Sequence, residues 1–263
     1  MPKITDQETR NAGGLLKDKI ALVTGAASGL GRAIALDFAD QGAYVIASDI
    51  DEDKISELGE QLSNRGQAIV QDVTCEKSWR RIIKDVSAHH GALHILVNNA
   101  GIGNLGSIED ISLDQFRHIH RVDLDSVFLG CKHALPLMSK VQGSIINMSS
   151  LSAMIADSNL IAYDSAKAAV RHLTKSVALH AMDRGYPVRC NSVHPAFVDT
   201  PILDGWVVRG TRDEMLQKLG RNIPMGRIGR PEEITCVVTF LASEESRFIN
   251  GAELVVDGGR LAA

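Results

Sequence analysis

No run of about 18 consecutive apolar residues occurs in the 263-residue chain, so none of it is expected to span a membrane. The opening M-P-K-I-T-D-Q-E-T-R is polar and charged and lacks the apolar stretch that a secretory signal needs. Excess positive charge is missing too. Against 28 Lys and Arg stand 32 Asp and Glu, a net of −4, which offers no general attraction to nucleic acid or to an anionic membrane. The four cysteines, Cys75, Cys131, Cys190 and Cys236, form no C-x-x-C pair and show no metal-ligand spacing. That scatter argues against a disulfide framework and suits reduced thiols in a cytoplasmic protein. No repeat, low-complexity tract or interior linker divides the sequence. What these absences leave is an ordinary globular composition, 44% hydrophobic and 23% charged, long enough to bury a sizeable core.

What is present is an alternation of two periodicities. Residues 1–17 read as a polar N-terminal arm and 18–263 as a single domain. Short apolar runs at Ile20–Thr24, Tyr44–Ser48, Gln67–Asp72, Leu93–Val97, Gly143–Ser149, Val188–Val193 and Ala252–Val256 predict strands. Between them, helical spacing predicts helices at Leu30–Asp40, Asp51–Asn64, Glu76–His90, Leu113–Lys140 and Ile161–Arg184, with two more at Arg212–Gly220 and Pro231–Ala242. Strand–helix alternation at this pace gives an α/β fold, a doubly wound parallel sheet with helices on both faces. His89, His90 and His94 lie close together, but they end a predicted helix, where cationic side chains are favoured, and no metal is expected.

The turn after the first strand reads Thr24-Gly25-Ala26-Ala27-Ser28-Gly29-Leu30-Gly31. Glycines there let the backbone approach a ligand, and the helix that follows offers unpaired N–H groups that suit a pyrophosphate. A P-loop would close on Gly-Lys-Ser/Thr, whereas this turn continues Gly31-Arg32-Ala33, which argues against phosphoryl transfer. Asp49 ends the second strand about 20 residues past the glycines, where a carboxylate accepts hydrogen bonds from the adenosine ribose and repels a 2′-phosphate. Neither Ile50 nor Ser28 is basic, so NAD is expected over NADP. The plainer reading of Asp49 is that it starts a turn with Asp51.

Tyr163 and Lys167 lie four apart, on one face of a predicted helix. A nearby ammonium stabilises phenolate, so the tyrosine pKa is expected to fall from about 10 toward working pH, fitting it to exchange a proton with an alcohol. Ser150 stands at the carboxyl end of the preceding strand, the side on which open α/β sheets bind ligands.

Taken together, T-G-A-A-S-G-L-G at Thr24, D-V at Asp72, N-N-A-G at Asn98, Ser150, Y-D-S-A-K at Tyr163, H-P-A-F-V-D-T at His194 and D-G-G at Asp257 resemble the short-chain dehydrogenase/reductase family, in its branch of about 250 residues, from about Leu16 to Gly259. The resemblance implies a single-domain Rossmann fold and a set of residue roles. Gly25, Ser28, Gly29, Leu30 and Gly31 would hold the pyrophosphate side, Asp49 and Ile50 the adenosine ribose, and Asp72 and Val73 the adenine. Asn99, Ala100 and Gly101 would line the cofactor, and Pro195, Val198 and Thr200 would meet its nicotinamide end. Ser150 would bond the substrate oxygen, Tyr163 would be the general acid/base, and Lys167 would bind the nicotinamide ribose and acidify the tyrosine. It also implies a homotetramer.

Two positions depart from the pattern. The catalytic set's fourth member, an asparagine in a stretch like V-N-L, is here Val122-Asp123-Leu124. Buried and unpaired, a carboxylate would be costly, so Asp123 is expected to be protonated or hydrogen-bonded, and its replacement by Asn to leave turnover within about tenfold. Ala196 replaces the glycine that usually follows the proline.

A lid is expected over about 197–221, with Phe197, Ile202, Leu203, Trp206, Val207, Val208, Met215 and Leu216 facing Leu151, Met154, Ile155 and Leu160. Apolar walls predict a bulky, weakly charged small-molecule substrate, a cyclic, steroid- or terpene-like secondary alcohol or its ketone, and Trp206 is the leading wall residue. The competing expectations are a reductase of carrier-bound 3-oxoacyl esters and a catalytically silent dinucleotide-binding regulator.

Overall fold

The computed structural model describes residues 14–103, 105–206 and 210–263. Among them, β1 (Ile20–Thr24), β2 (Tyr44–Asp49), β3 (Gly66–Val70), β4 (Ile95–Asn98), β5 (Gly143–Met148), β6 (Val188–Pro195) and β7 (Glu253–Val256) form one sheet in the order β3-β2-β1-β4-β5-β6-β7, every pair parallel. β4 and β5 are buried throughout their length, as strands covered on both faces must be. The α-helices among the described residues are α1 (Gly29–Asp40), α2 (Glu52–Leu62), α3 (Glu76–His90), α4 (Leu113–His120), α5 (Ser126–Met138), α6 (Ile161–Asp183), α7 (Arg212–Gly220) and α8 (Pro231–Ala242).

Helical spacing decides which faces meet the sheet. Ile34 and Phe38 of α1, Ile55, Leu58 and Leu62 of α2, and Val238 and Leu241 of α8 pack on one side with Val45 and Ile146. Trp79, Ile82 and Val86 of α3, Leu129 and Met138 of α5, and Val170 of α6 pack on the other with Leu22 and Leu96. The Trp79 indole N–H donates to the Val73 carbonyl at 2.8 Å, so the largest fully buried side chain keeps its polar atom paired. This is the Rossmann-type α/β domain the sequence predicts.

The chain leaves β1 toward β2 and β3, then returns to β4 on β1's other side. The carboxyl ends of β1 and β4 therefore open a crevice at the point where the winding reverses, and most of the candidate site residues lie along it. Thr24 and Asn99 fasten that crevice. The Thr24 hydroxyl accepts the Asn99 and Ala100 N–H groups, both at 3.1 Å, and the Asn99 amide donates to the carbonyls of Thr24 at 3.0 Å and Gly25 at 3.2 Å.

Three expected boundaries move. Leu113–Lys140 is not one α-helix. After α4, Arg121–Asp125 forms a π turn in which the Ser126 N–H bonds the Arg121 carbonyl, and the helix resumes as α5 and ends at Met138. A spacing of apolar residues cannot distinguish an i→i+5 bond from an i→i+4 bond within a single turn. β3 stops at Val70, which leaves Asp72 beyond the strand. Of the expected arm, residues 14–17 are described, and there Leu16 is fully buried with its N–H on the Gln41 carbonyl at 2.9 Å. Residues 1–13 lie outside the described part. No helix among the described residues is long and apolar enough to cross a membrane.

Candidate active site

At the turn between β1 and α1, Gly25 (φ +65°) and Gly29 (φ +53°) take left-handed backbone, which glycine adopts without strain. A Cβ on Gly25 would stand 2.7 Å from the Ala100 Cα, and one on Gly31 would stand 2.1 Å from the Gly25 carbonyl oxygen. Gly31 therefore lets α1 pack on the turn, and it lies off the cavity wall. Ser28 is the N-cap of α1, but its side chain makes no capping bond, so the helix start keeps donors for an anion.

From this turn a cavity of about 760 Å³ runs along the strand ends. Its wall at one end is Gly25, Ser28, Gly29, Leu30, Asp49, Ile50, Asp72 and Val73. The middle is Asn99, Ala100 and Gly101, and the far end carries Asp123, Ser150, Leu151, Tyr163, Lys167, Pro195, Val198 and Thr200. Asp49 takes the Ala27 N–H on one oxygen at 2.9 Å and the Asp51 N–H on the other at 3.0 Å. The turn with Asp51 is thus formed, and Asp49 stays on the wall as well. Gln71, which nothing in the sequence singled out, is only 1% exposed and lines the same end, yet neither atom of its amide has a partner among the described residues. An orphaned amide there, with uncapped helix donors and a glycine cradle beside it, fits an elongated dinucleotide with a polar base and a pyrophosphate.

The far end is built by β5 and α6. Ser150 follows β5, and Tyr163 and Lys167 share a face of α6, which puts the Lys167 ammonium 5.5 Å from the Tyr163 ring centre. Tyr163 is partly exposed on the wall, with Ser150 among the groups that act on its hydroxyl. Lys167 is 4% exposed and donates to the Met148 carbonyl at 3.1 Å. His194 on β6 is fully buried and braces Ser150: its Nδ1 lies 3.0 Å from the Ser150 carbonyl and its Nε2 2.8 Å from the Ser192 hydroxyl.

Asp123 is hydrogen-bonded, as a buried carboxyl at this place is expected to be. It is 0% exposed, accepts the Ile102 N–H at 2.9 Å, and sets its other oxygen 3.2 Å from the Lys167 ammonium. Burial pushes its carboxyl pKa up, and Lys167 pulls it back. One expectation is corrected here. The Tyr163 phenol is not made more acidic than usual; burial raises its pKa, Lys167 lowers it, and Asp123 raises it again. The acidifying lysine is present, but it is paired.

Among the expected substrate residues, Leu151, Ile155 and Leu160 line the cavity opposite Phe197, Ile202 and Leu203. Met154, Met215 and Leu216 stand off the wall. The Trp206 side chain and residues 207–209 lie outside the described part, so the leading wall residue is not placed. Arg260, His118, Asn159 and Asn222 add polar groups at this end. Nothing in the sequence singled out Arg260; Val256 pairs with Pro195 and thereby brings the C-terminal segment to the site.

A family model described as "Enoyl-(Acyl carrier protein) reductase" matches residues 25–260. The chain is 38% identical to a 3-beta-hydroxysteroid dehydrogenase of Comamonas testosteroni, over 94% of this chain and 97% of that protein. It is 40% identical to a trans-4-hydroxycyclohexanecarboxylate dehydrogenase of Sinomonas cyclohexanicum, over 93% of each. The solved structure of a Thermoplasma acidophilum aldohexose dehydrogenase in ligand-free form superposes with a TM-score of 0.86 at 38% identity, covering 94% of this chain and 96% of that one. With the crevice, the glycine turn and the Ser150–Tyr163–Lys167 group all in place, these matches close the case: the chain belongs to the short-chain dehydrogenase/reductase family.

Proposed function

We propose that the protein is an NAD-dependent oxidoreductase that interconverts a cyclic secondary alcohol and its ketone. The observation that carries this reading is one continuous cavity with Asp49 on its wall at one end and Ser150, Tyr163 and Lys167 at the other. Bound along it, nicotinamide dinucleotide supplies the acceptor or donor of the hydride. Gly25, Ser28, Gly29 and Leu30 would hold its pyrophosphate, Asp49 and Ile50 its adenosine ribose, and Gln71, Asp72 and Val73 its adenine. Asn99, Ala100, Gly101, Pro195, Val198 and Thr200 would line the remainder. In oxidation the Tyr163 phenolate takes the alcohol O–H proton as the carbon-bound hydrogen leaves with its electron pair, giving the ketone and neutral phenol; reduction is the reverse. Ser150 fixes the substrate oxygen, and Lys167 fixes the ribose.

NAD is favoured over NADP because the wall beside Asp49 offers no cation to a 2′-phosphate. Ile50 is apolar, and Arg32, next to the glycine turn, is directed to Gln61 Oε1 at 2.6 Å and does not line the cavity. One relative is an NADP-dependent (R)-specific alcohol dehydrogenase of Lentilactobacillus kefiri, at 37% identity, so the cofactor has to be measured for this chain. The apolar walls, and relatives that act on hydroxysteroids and a hydroxylated cyclohexane ring, support a carbocyclic alcohol. A second reading has its own observation. The Arg260 guanidinium is at the wall and makes no ion pair or hydrogen bond among the described residues, which favours a ring that also carries a carboxylate.

A cytoplasmic homotetramer is part of the proposal. The four cysteines are free, and Phe128 of α5 and Leu179 and Met182 of α6 turn exposed apolar side chains outward, as helices that pair between subunits do. The testing experiment offers purified protein NAD or NADP with a panel of cyclic alcohols, with and without a ring carboxylate. NAD-linked turnover lost in Tyr163→Phe supports the proposal. NADPH-linked reduction of a carrier-bound acyl substrate, or cofactor binding without turnover, replaces it with one of the two competing readings. Light scattering that returns a monomer removes the tetramer.

A further inference from the structure

Asp123 makes this active site electrically different from one with an amide at the same place. The π turn Arg121–Asp125 delivers its side chain to the floor of the cavity, where both carboxyl oxygens face donors: the Ile102 N–H at 2.9 Å and the Lys167 ammonium at 3.2 Å. The ammonium 3.2 Å from one oxygen and the backbone N–H on the other favour the ionised carboxyl, and burial opposes it. Nothing intervenes between the pair. A Cβ on Gly101 would stand 3.2 Å from Asp123 Oδ2 and 3.3 Å from Lys167 Nζ, so the absent side chain of Gly101 is what leaves room for the contact. Asp123 is 0% exposed and Lys167 4%, so water screens neither of them.

We propose that Asp123 is a positioning residue that partly neutralises Lys167, and that by doing so it moves the working range of the Tyr163 acid/base step to a more alkaline pH than an amide at position 123 would give. The inference rests on the reading of Tyr163 as the acid/base. An unpaired ammonium 5.5 Å from the phenol ring stabilises phenolate. With a carboxylate against it, the ammonium becomes one end of a dipole, and its pull on the phenol is offset by the opposite charge. The charges that face these groups come from every packed element. Tyr163 is reached by Lys167, Asp123 and the neighbouring Asp164, and by the hydroxyl of Ser150 at the end of β5. Asp123 is reached by Lys167 and by His120 of α4, whose ring nitrogens are engaged by the Phe116 carbonyl and the Ser165 hydroxyl. At Gly101–Ile102 the contact comes from backbone, and at Met148 a carbonyl oxygen holds the ammonium from its other side.

The test is titration of Tyr163 in cofactor-free protein, read as tyrosinate ultraviolet absorbance, with Tyr163→Phe subtracting Tyr44 and Tyr186. In Asp123→Asn and Asp123→Ser the Tyr163 midpoint is expected at least about one pH unit below wild type, a tenfold loss of proton affinity. The acid limb of the pH profile of kcat/KM for alcohol oxidation is expected to move down with it. A merely structural role lowers turnover without moving either midpoint, and that result, or an upward move, overturns the proposal. Should Asp123→Asn not fold, Asp123→Ser makes the same comparison alone, and a Tyr163 midpoint in it that is unmoved or higher than wild type overturns the proposal. Because the titration needs neither cofactor nor turnover, a protein inert toward every alcohol would sink the proposed function and leave this result standing.

Discussion

An aspartate stands at each end of the cavity, and the two are set differently. Asp49, at the end of β2, is partly exposed; backbone N–H groups of Ala27 and Asp51 orient it, and it keeps lone pairs for whatever lies on the wall. Asp123 has no exposure, and its oxygens are turned to Ile102 and Lys167. The same side chain is thus open to the cavity at one end and turned against a buried ammonium at the other. The largest break in this comparison is to remove the group on which Asp123 acts through Lys167. Tyr163→Phe is expected to lower kcat about a thousandfold or more, a loss of about 4 kcal/mol of transition-state stabilisation, while cofactor affinity measured by fluorescence changes little. Retention of more than a tenth of the activity would mean that the proton travels another way.

The next break is at the other end. Asp49→Ser removes the carboxylate that would repel a 2′-phosphate, and the ratio of kcat/KM with NAD to that with NADP is expected to fall about a hundredfold, near 2.7 kcal/mol. Asp123→Asn should leave that ratio where it is. If both substitutions change cofactor preference equally, the two carboxylates are not doing separate jobs.

Gly101→Ala sharpens the buried end alone. The added methyl would sit at 3.2–3.3 Å from the Asp123–Lys167 pair, tighter than ordinary contact, so one of the two must move. Turnover is expected to fall about tenfold and stability by about 1–3 kcal/mol, as overpacking does. An alanine variant with wild-type kcat and melting temperature would show that the pair has slack, and would weaken the case that its geometry is fixed.

These comparisons also mark where the sequence was legible. The parallel sheet, the crevice and the Ser150–Tyr163–Lys167 group were readable because strand–helix alternation and an i,i+4 pair are local patterns. The glycine turn was readable for the same reason, although Gly31 proves to serve packing within the turn. The π turn was not, since one wide turn leaves the apolar spacing on either side of it intact. The Asp123–Lys167 contact joins residues 44 positions apart in sequence across that turn, so the tyrosine was expected to be more acidic than its surroundings make it. Gln71 and Arg260 were invisible for a related reason: burial without a partner, and a place on a wall, are properties of the fold and leave no mark on neighbouring residues.

The smallest effect asks whether the buried end senses pH through anything besides Asp123. His194 holds the carbonyl of Ser150 through Nδ1, and its Nε2 lies 2.8 Å from the Ser192 hydroxyl. Burial pulls its pKa below the ordinary histidine value; the Ser150 carbonyl and Glu253 oppose that, and Arg171 and Lys175 add to it. The unfolded chain therefore takes up a proton at a pH where the folded chain still refuses it, so stability is full above the unfolded histidine range and is lost as pH falls below it. Between about pH 7.5 and 5.5 the melting temperature of the wild type is expected to drop by a few degrees more than that of His194→Gln, which keeps a donor and an acceptor but cannot titrate. The variant's kcat should change little at neutral pH, because Ser150 stays braced. If the two proteins lose stability in parallel on the acid side, His194 is not the group that responds, and His94, whose pKa burial also pulls below the ordinary histidine value, becomes the next to replace.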